Sequence, residues 1–131
     1  MNSTVLEWRM IKTTELNRLP DDCGVFIISV QDIDYHNSFV ALYVGSAQNL
    51  KEKITTVLTG KNNYLKMRNS IDNKVVKISY TETKSMDDAK RIESFLINYY
   101  RPMYSRIKKI ANNDTIIVNR PNVKKWTKSK F

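Results

Sequence analysis

Glu93 is a carboxylate in a costly place. At helical spacing its neighbours are Ala89, Leu96, Ile97 and Tyr100, so it lies on or beside the apolar stripe of a helix rather than on its solvent face. A carboxylate there is unfavourable unless it is paired or bound to a metal. The simpler alternative is a helix-surface glutamate paired with Lys90. A second concentration of chemically useful residues lies near the C-terminus, where Trp126 is interleaved with Lys124, Lys125, Lys128 and Lys130. Cations spaced in this way can follow phosphates while an aromatic ring stacks on a base. The alternative is a basic tail with a chance tryptophan. His36, the one histidine, falls in a polar stretch and reads as a surface residue before it reads as a general base.

Charge placement favours a polyanionic partner. The net charge is +9. Residues 101–131 hold nine Lys/Arg against one acidic residue, Asp114, whereas residues 1–100 hold thirteen against twelve. A surplus concentrated in this way attracts polyphosphate, with affinity driven by counterion release. Pro121 interrupts the tail and argues against an amphipathic membrane-surface helix. One cysteine, Cys23, excludes an internal disulfide, and one Cys with one His argues against structural zinc. No apolar run is long enough for a membrane span. Met1-Asn2-Ser3-Thr4 lacks the basic and apolar segments of a secretory signal, and the lone cysteine is consistent with a reducing compartment, most simply the cytoplasm.

The elements that must carry these residues can be read from pattern. The 131 residues fit one domain, with 1–110 as its body and 111–131 as a basic extension. Thr13 to Leu16 starts a short helix that ends before Pro20, and residues 21–24 form a turn. Val25–Val30 and Phe39–Val44 are apolar strands joined by a hairpin loop, the second stopped by Gly45-Ser46. Leu50, Ile54, Val57 and Leu58 mark a helix ended by Gly60, and Tyr64–Ile71 is a shorter one with Tyr64, Leu65, Arg68 and Ile71 on one side. Val75–Thr83 alternates as a half-buried strand, with Lys77, Ser79 and Thr81 on its polar face. Ser85 caps a helix whose inner stripe is Ala89, Ile92, Leu96 and Tyr99, and Pro102 ends it. Thr115–Val118 is a candidate fourth strand. The order β-β-α-α-β-α predicts an α+β fold with a small, three-stranded antiparallel or mixed sheet.

On these elements stand Gly24-Val25-Phe26 at the first strand and Tyr43-Val44-Gly45 near the end of the second. The run Ser46 to Ile54 follows directly, Glu93 sits in the late helix, and Pro102-Met103-Tyr104-Ser105 closes the pattern. Over about residues 20 to 105 this order resembles the GIY-YIG nuclease family, which includes an excision-repair nuclease, homing endonucleases and restriction enzymes.

The resemblance implies hydrolysis of a nucleic-acid phosphodiester, most simply DNA, with one divalent metal, Mg²⁺ or Mn²⁺. It makes Glu93 the metal ligand and Tyr43 the second-motif tyrosine beside the scissile phosphate. Phe26 stands where the family has tyrosine, Lys53 where it has arginine and Ser105 where it has asparagine. Phenylalanine cannot exchange a proton, lysine keeps the charge without the planar fork, and serine has a shorter reach. Tyr35, His36, Tyr64 and Arg68 are candidates to approach the site from loops. Lys53, Arg68 and the basic arm are the expected nucleic-acid contacts. Three altered positions leave two readings open: a metal-dependent endonuclease with weakened or altered chemistry, or an inactive module that binds nucleic acid, a protein partner or a second copy.

Overall fold

The computed structural model describes residues 2–4, 6–32, 38–60, 64–71, 74–105, 116–118 and 120–121. In chain order the strands are β1 (Asn2–Thr4), β2 (Arg9–Lys12), β3 (Gly24–Asp32), β4 (Ser38–Ala47), β5 (Val76–Glu82) and β6 (Ile116–Val118). The helices are α1 (Leu50–Thr59), α2 (Leu65–Ser70) and α3 (Met86–Tyr100), with a 3-10 turn at Thr13–Arg18.

The most apolar strand takes the most interior place. Val25, Phe26, Ile27 and Ile28 of β3 are each 0–1% exposed, and each such side chain contributes about 1.5–3 kcal/mol by leaving water. Burial on both faces requires strands on both edges and cover above and below. The antiparallel sheet has the order β2-β5-β3-β4 and supplies the edges. Phe26, Ile28, Tyr80 and Ile78 turn to one face, packed with Leu50, Ile54 and Val57 of α1 and Met67 of α2. Val25, Ile27 and Val44 turn to the other, under Ala89, Ile92, Leu96 and Ile97 of α3. A separate parallel pair joins β1 to β6. Among the described residues no helix is long and apolar enough to cross a membrane.

The α+β class is as expected, as is the order β-β-α-α-β-α from β3 to α3; the strand β1 was not foreseen, and four further details differ. The main sheet has a fourth strand, β2, whose short Arg-Met-Ile-Lys run carries one buried residue, Ile11. β4 continues through Gly45-Ser46 to Ala47, because β3 keeps pairing with it as far as Gly24. β5 is covered on both faces. Lys77, Ser79 and Thr81 are all buried: Ser79 stands beside Ile27, on the face covered by the cluster of Leu6 and α3, and the Lys77 ammonium lies over the Phe39 ring. Tyr99 is 53% exposed and Leu65 60%, so Ile97 and Met67 do the packing expected of them. The strand foreseen over 115–118 is present at Ile116–Val118.

The helix ends obey local chemistry. Asn49 caps α1 by accepting from the Glu52 N–H at 3.0 Å, and Ser85 caps α3 by accepting from the Asp88 N–H at 3.2 Å. Asp87 and Asp88 add negative charge in the first turn of α3. At its other end Arg101 is left-handed (φ 47°), its N–H closes on the Ile97 carbonyl at 2.8 Å, and Pro102 follows.

Candidate active site

β4 is an edge strand of the main sheet, and the site wraps around it. Strand alternation sends Tyr43 and Gly45 to the face of Phe26, and Val44 and Ser46 to the face of α3. Side chains from both faces therefore meet at one edge.

On the first face Phe26 and Tyr43 stack, with centroids 5.7 Å apart. Gly45 makes room for them. A Cβ there would lie 2.7 Å from a Tyr43 ring carbon and 2.8 Å from the Phe26 Cζ. Gly24 likewise permits a close approach, since its Cβ would come within 2.2 Å of the Thr81 carbonyl oxygen. Both motif glycines thus serve packing.

Tyr64, immediately before α2, meets this pair edge-on, its ring centroid 5.7 Å from that of Tyr43 and at 89°. The two hydroxyls are 3.4 Å apart. The Lys53 ammonium of α1 donates to the Tyr64 hydroxyl at 2.8 Å. Tyr43 is held well above the ordinary phenol range, first by burial, then by its hydrogen bond to Tyr64 and by the charges of Tyr64 and Glu93. Tyr64 moves the opposite way. Burial would raise it, but the hydrogen bonds from Lys53 and Tyr43 and the Lys53 charge together outweigh burial and the opposing charge of Glu93.

On the second face Glu93 is buried, at 7% exposure, and accepts from the Ser46 hydroxyl at 3.1 Å. Its position on the apolar stripe is the one its helical neighbours implied. The region offers a carboxylate and hydroxyls, and among the described residues no group of three or more His, Cys, Asp or Glu could hold a metal. Oxygen donors of this kind fit a hard cation that completes its shell with water and phosphate. They do not fit a soft or tetrahedral metal.

Ser105 reaches the free edge of β4. Its hydroxyl accepts from the Val44 N–H at 2.8 Å and donates to the Val44 carbonyl at 2.9 Å, while the Tyr104 N–H donates to the Leu42 carbonyl at 2.9 Å. The segment after α3 thus continues the sheet's pairing next to Tyr43. A hydrogen bond between the Tyr104 and Ser70 hydroxyls ties it to α2.

The structure therefore brings together Phe26, Tyr43, Lys53, Glu93 and Ser105, and from the loop candidates it selects Tyr64. Arg68 lies beside Gly60, at the far end of α1 from the motif turn. Tyr35, His36, Lys124, Lys125, Trp126, Lys128 and Lys130 lie outside the described residues. Ser46 is the participant that motif order did not single out. The available signal was its parity with Val44 along an extended β4.

A profile of the UvrC-like GIY-YIG domain family matches residues 24–106. No curated protein sequence matches the chain. Among solved structures the chain is similar to the GIY-YIG N-terminal endonuclease domain of UvrC from Thermotoga maritima bound to its catalytic divalent cation, magnesium. The TM-score is 0.55 at 20% identity, covering 71% of this chain and 93% of that one. A tyrosine-to-phenylalanine point mutant of the same domain, bound to the catalytic divalent cation, gives 0.53 at 21% identity, covering 71% and 92%. That likeness speaks for the fold, and the profile match, which spans Phe26 through Ser105, shows that the chain belongs to the UvrC-like GIY-YIG domain family.

Proposed function

We propose that this chain is a metal-dependent endonuclease that hydrolyses DNA phosphodiesters, with Glu93 as the protein's carboxylate ligand to one Mg²⁺ or Mn²⁺. The observation that carries the reading is the buried Glu93 carboxylate, hydrogen-bonded to Ser46 and close enough to Tyr43 and Tyr64 for its charge to act on both. The cation, when bound, supplies Lewis acidity at the phosphate and a more acidic water. Lys53 presents positive charge toward the same space and stabilises charge developing on phosphate oxygens. The Phe26–Tyr43 stack fixes one wall, and Ser105 holds the backbone beside it. The solved UvrC domain holds its catalytic divalent cation, and tyrosine-to-phenylalanine point mutants of it hold it too. That a tyrosine-to-phenylalanine change leaves the cation bound there supports cation binding by a site with one phenol fewer. The surplus of Lys and Arg over residues 101–131 supports a polyphosphate partner.

Two observations favour the second reading, an inactive nucleic-acid-binding module. The first-motif position has no hydroxyl, and Lys53 already has a partner in Tyr64, which a phosphate must share or displace. The deciding experiment incubates supercoiled plasmid with the protein in Mg²⁺ or Mn²⁺ and compares wild type with Glu93→Ala and Glu93→Gln. Nicking by wild type is expected. Glu93→Gln keeps shape and an acceptor for Ser46, so it should melt close to wild type while losing cleavage. DNA binding without nicking by wild type supports the module instead.

A further inference from the structure

We propose that Tyr64, which stands outside every motif of the family pattern, is the proton acceptor of this site, and that Tyr43 is its proton-holding partner. The inference rests on the nuclease reading above and assigns a step within it.

One donor, the Lys53 ammonium, and a second group able to donate, the Tyr43 hydroxyl, converge on one oxygen. The Lys53 ammonium is 2.8 Å from the Tyr64 hydroxyl oxygen and the Tyr43 hydroxyl is 3.4 Å from it. Both interactions strengthen when that oxygen is a phenolate, because hydrogen bonds to a charged acceptor are the stronger kind. Tyr43 differs on both counts: it is the more deeply buried phenol, and its hydroxyl meets another phenol rather than an ammonium. The proton shared by the pair therefore resides on Tyr43. The groups that face Tyr64 are Lys53 from α1, Tyr43 from β4 and the Glu93 charge from α3. The first two favour the phenolate and outweigh burial and Glu93, so Tyr64 ionises below the ordinary phenol range.

The other hydroxyl-bearing or motif positions serve poorly. Phe26 has no proton to exchange. The Tyr104 hydroxyl is engaged with Ser70, and the Ser105 hydroxyl with both backbone groups of Val44. Tyr64 also sits at the start of α2, partly exposed, where water can reach it. In the step assigned here the water oxygen forms a bond to phosphorus and the bond from phosphorus to the leaving sugar oxygen breaks. The water proton passes to the Tyr64 phenolate, and solvent protonates the leaving oxygen.

Two measurements on the full chain test this. The first is an ultraviolet tyrosinate titration of metal-free protein. One phenol should ionise before the others, that early phase should vanish in Tyr64→Phe, and it should move to higher pH in Lys53→Met. The second is the pH dependence of plasmid nicking, with thermal melts to confirm that each variant folds. Wild-type nicking should rise with pH through the same early ionisation. Tyr64→Phe should lose that limb and fall by about 10²- to 10⁴-fold. Tyr43→Phe should keep the limb but shift it to higher pH. A Tyr64→Phe variant that nicks with the wild-type rate and profile overturns the assignment while leaving the nuclease reading intact. Absence of the early phase overturns it as well. A wild type that binds DNA but never nicks removes the nuclease reading, and the step with it.

Discussion

Replacing Ser105 with alanine removes one hydroxyl and two hydrogen bonds, because that hydroxyl serves both backbone groups of Val44. Val44 is 1% exposed and lies on the edge strand, so no neighbouring strand can take over the pairing. Two hydrogen bonds at a net value near 1 kcal/mol each give a loss of about 2 kcal/mol, rising toward 4 if both groups stay unsatisfied. For a domain of this size, each kcal/mol corresponds to roughly 3–5 °C in melting temperature. Ser105→Ala should therefore melt at least about 6 °C below wild type. Ser105→Asn is the informative control. A side-chain amide carries one acceptor and a donor pair, so it can meet the Val44 N–H and C=O as the hydroxyl does. It should remain within about 1 kcal/mol of wild type. Urea melts of the three proteins, read by tryptophan fluorescence, make the comparison. If Ser105→Ala lies within about 0.5 kcal/mol of wild type, the clamp contributes nothing to stability. If Ala and Asn fall equally, size rather than hydrogen bonding decides the position.

Gly45→Ala should be destabilised by about 1–3 kcal/mol in the same melts, because its methyl would stand 2.7 Å from Tyr43 and 2.8 Å from Phe26. An unchanged midpoint would mean that the ring stack gives way freely. Deleting Asn119–Phe131 removes five Lys/Arg. The log–log slope of DNA affinity against salt should then flatten by about 0.9 for each phosphate the arm had neutralised. A slope unchanged after deletion would show that the arm neutralises none. Glu93→Gln should abolish nicking while costing no more than about 1 kcal/mol of stability, and full activity in that variant would place the metal elsewhere.

The legible parts of this fold are those where one residue type decides the outcome. The apolar run of β3 and the stripe Leu50, Ile54, Val57 and Leu58 bury as their periodicity requires, and Ser85 caps α3. β2 was not legible, because a four-residue strand with a single buried side chain shows no alternation, and it becomes a strand only by pairing with β5. The polar face of β5 misleads for a related reason. Lys77, Ser79 and Thr81 look solvated in sequence, and their burial follows from what packs over that face in three dimensions, the Phe39 ring at Lys77 and the cluster of Ile27 beside Ser79. Tyr99 matched the helical period, yet the apolar arc of α3 turns toward Ile97, leaving Tyr99 outside under the Arg120 guanidinium at 3.9 Å from its ring centre.

At the site the positions were legible and the partnerships were not. Motif order located Phe26, Tyr43, Lys53, Glu93 and Ser105, and the structure brings all five to one edge strand. What sequence spacing could not provide is that Lys53 reaches Tyr64, eleven residues on and across the break at Gly60. That contact changes how the departures from the family pattern should be weighed. Taken singly, Phe26 loses a hydroxyl, Lys53 loses a fork and Ser105 loses reach. Taken together, a phenol returns to the site from the start of α2, the lysine is the ammonium that lowers it, and the serine pairs the backbone it faces at both ends. The fork of an arginine would place its charge over a plane rather than at one point, whereas a single phenolic oxygen is best met by a compact ammonium. The lysine at position 53 and the tyrosine at position 64 are thus explained by one another, and substituting either alone removes half of a pair.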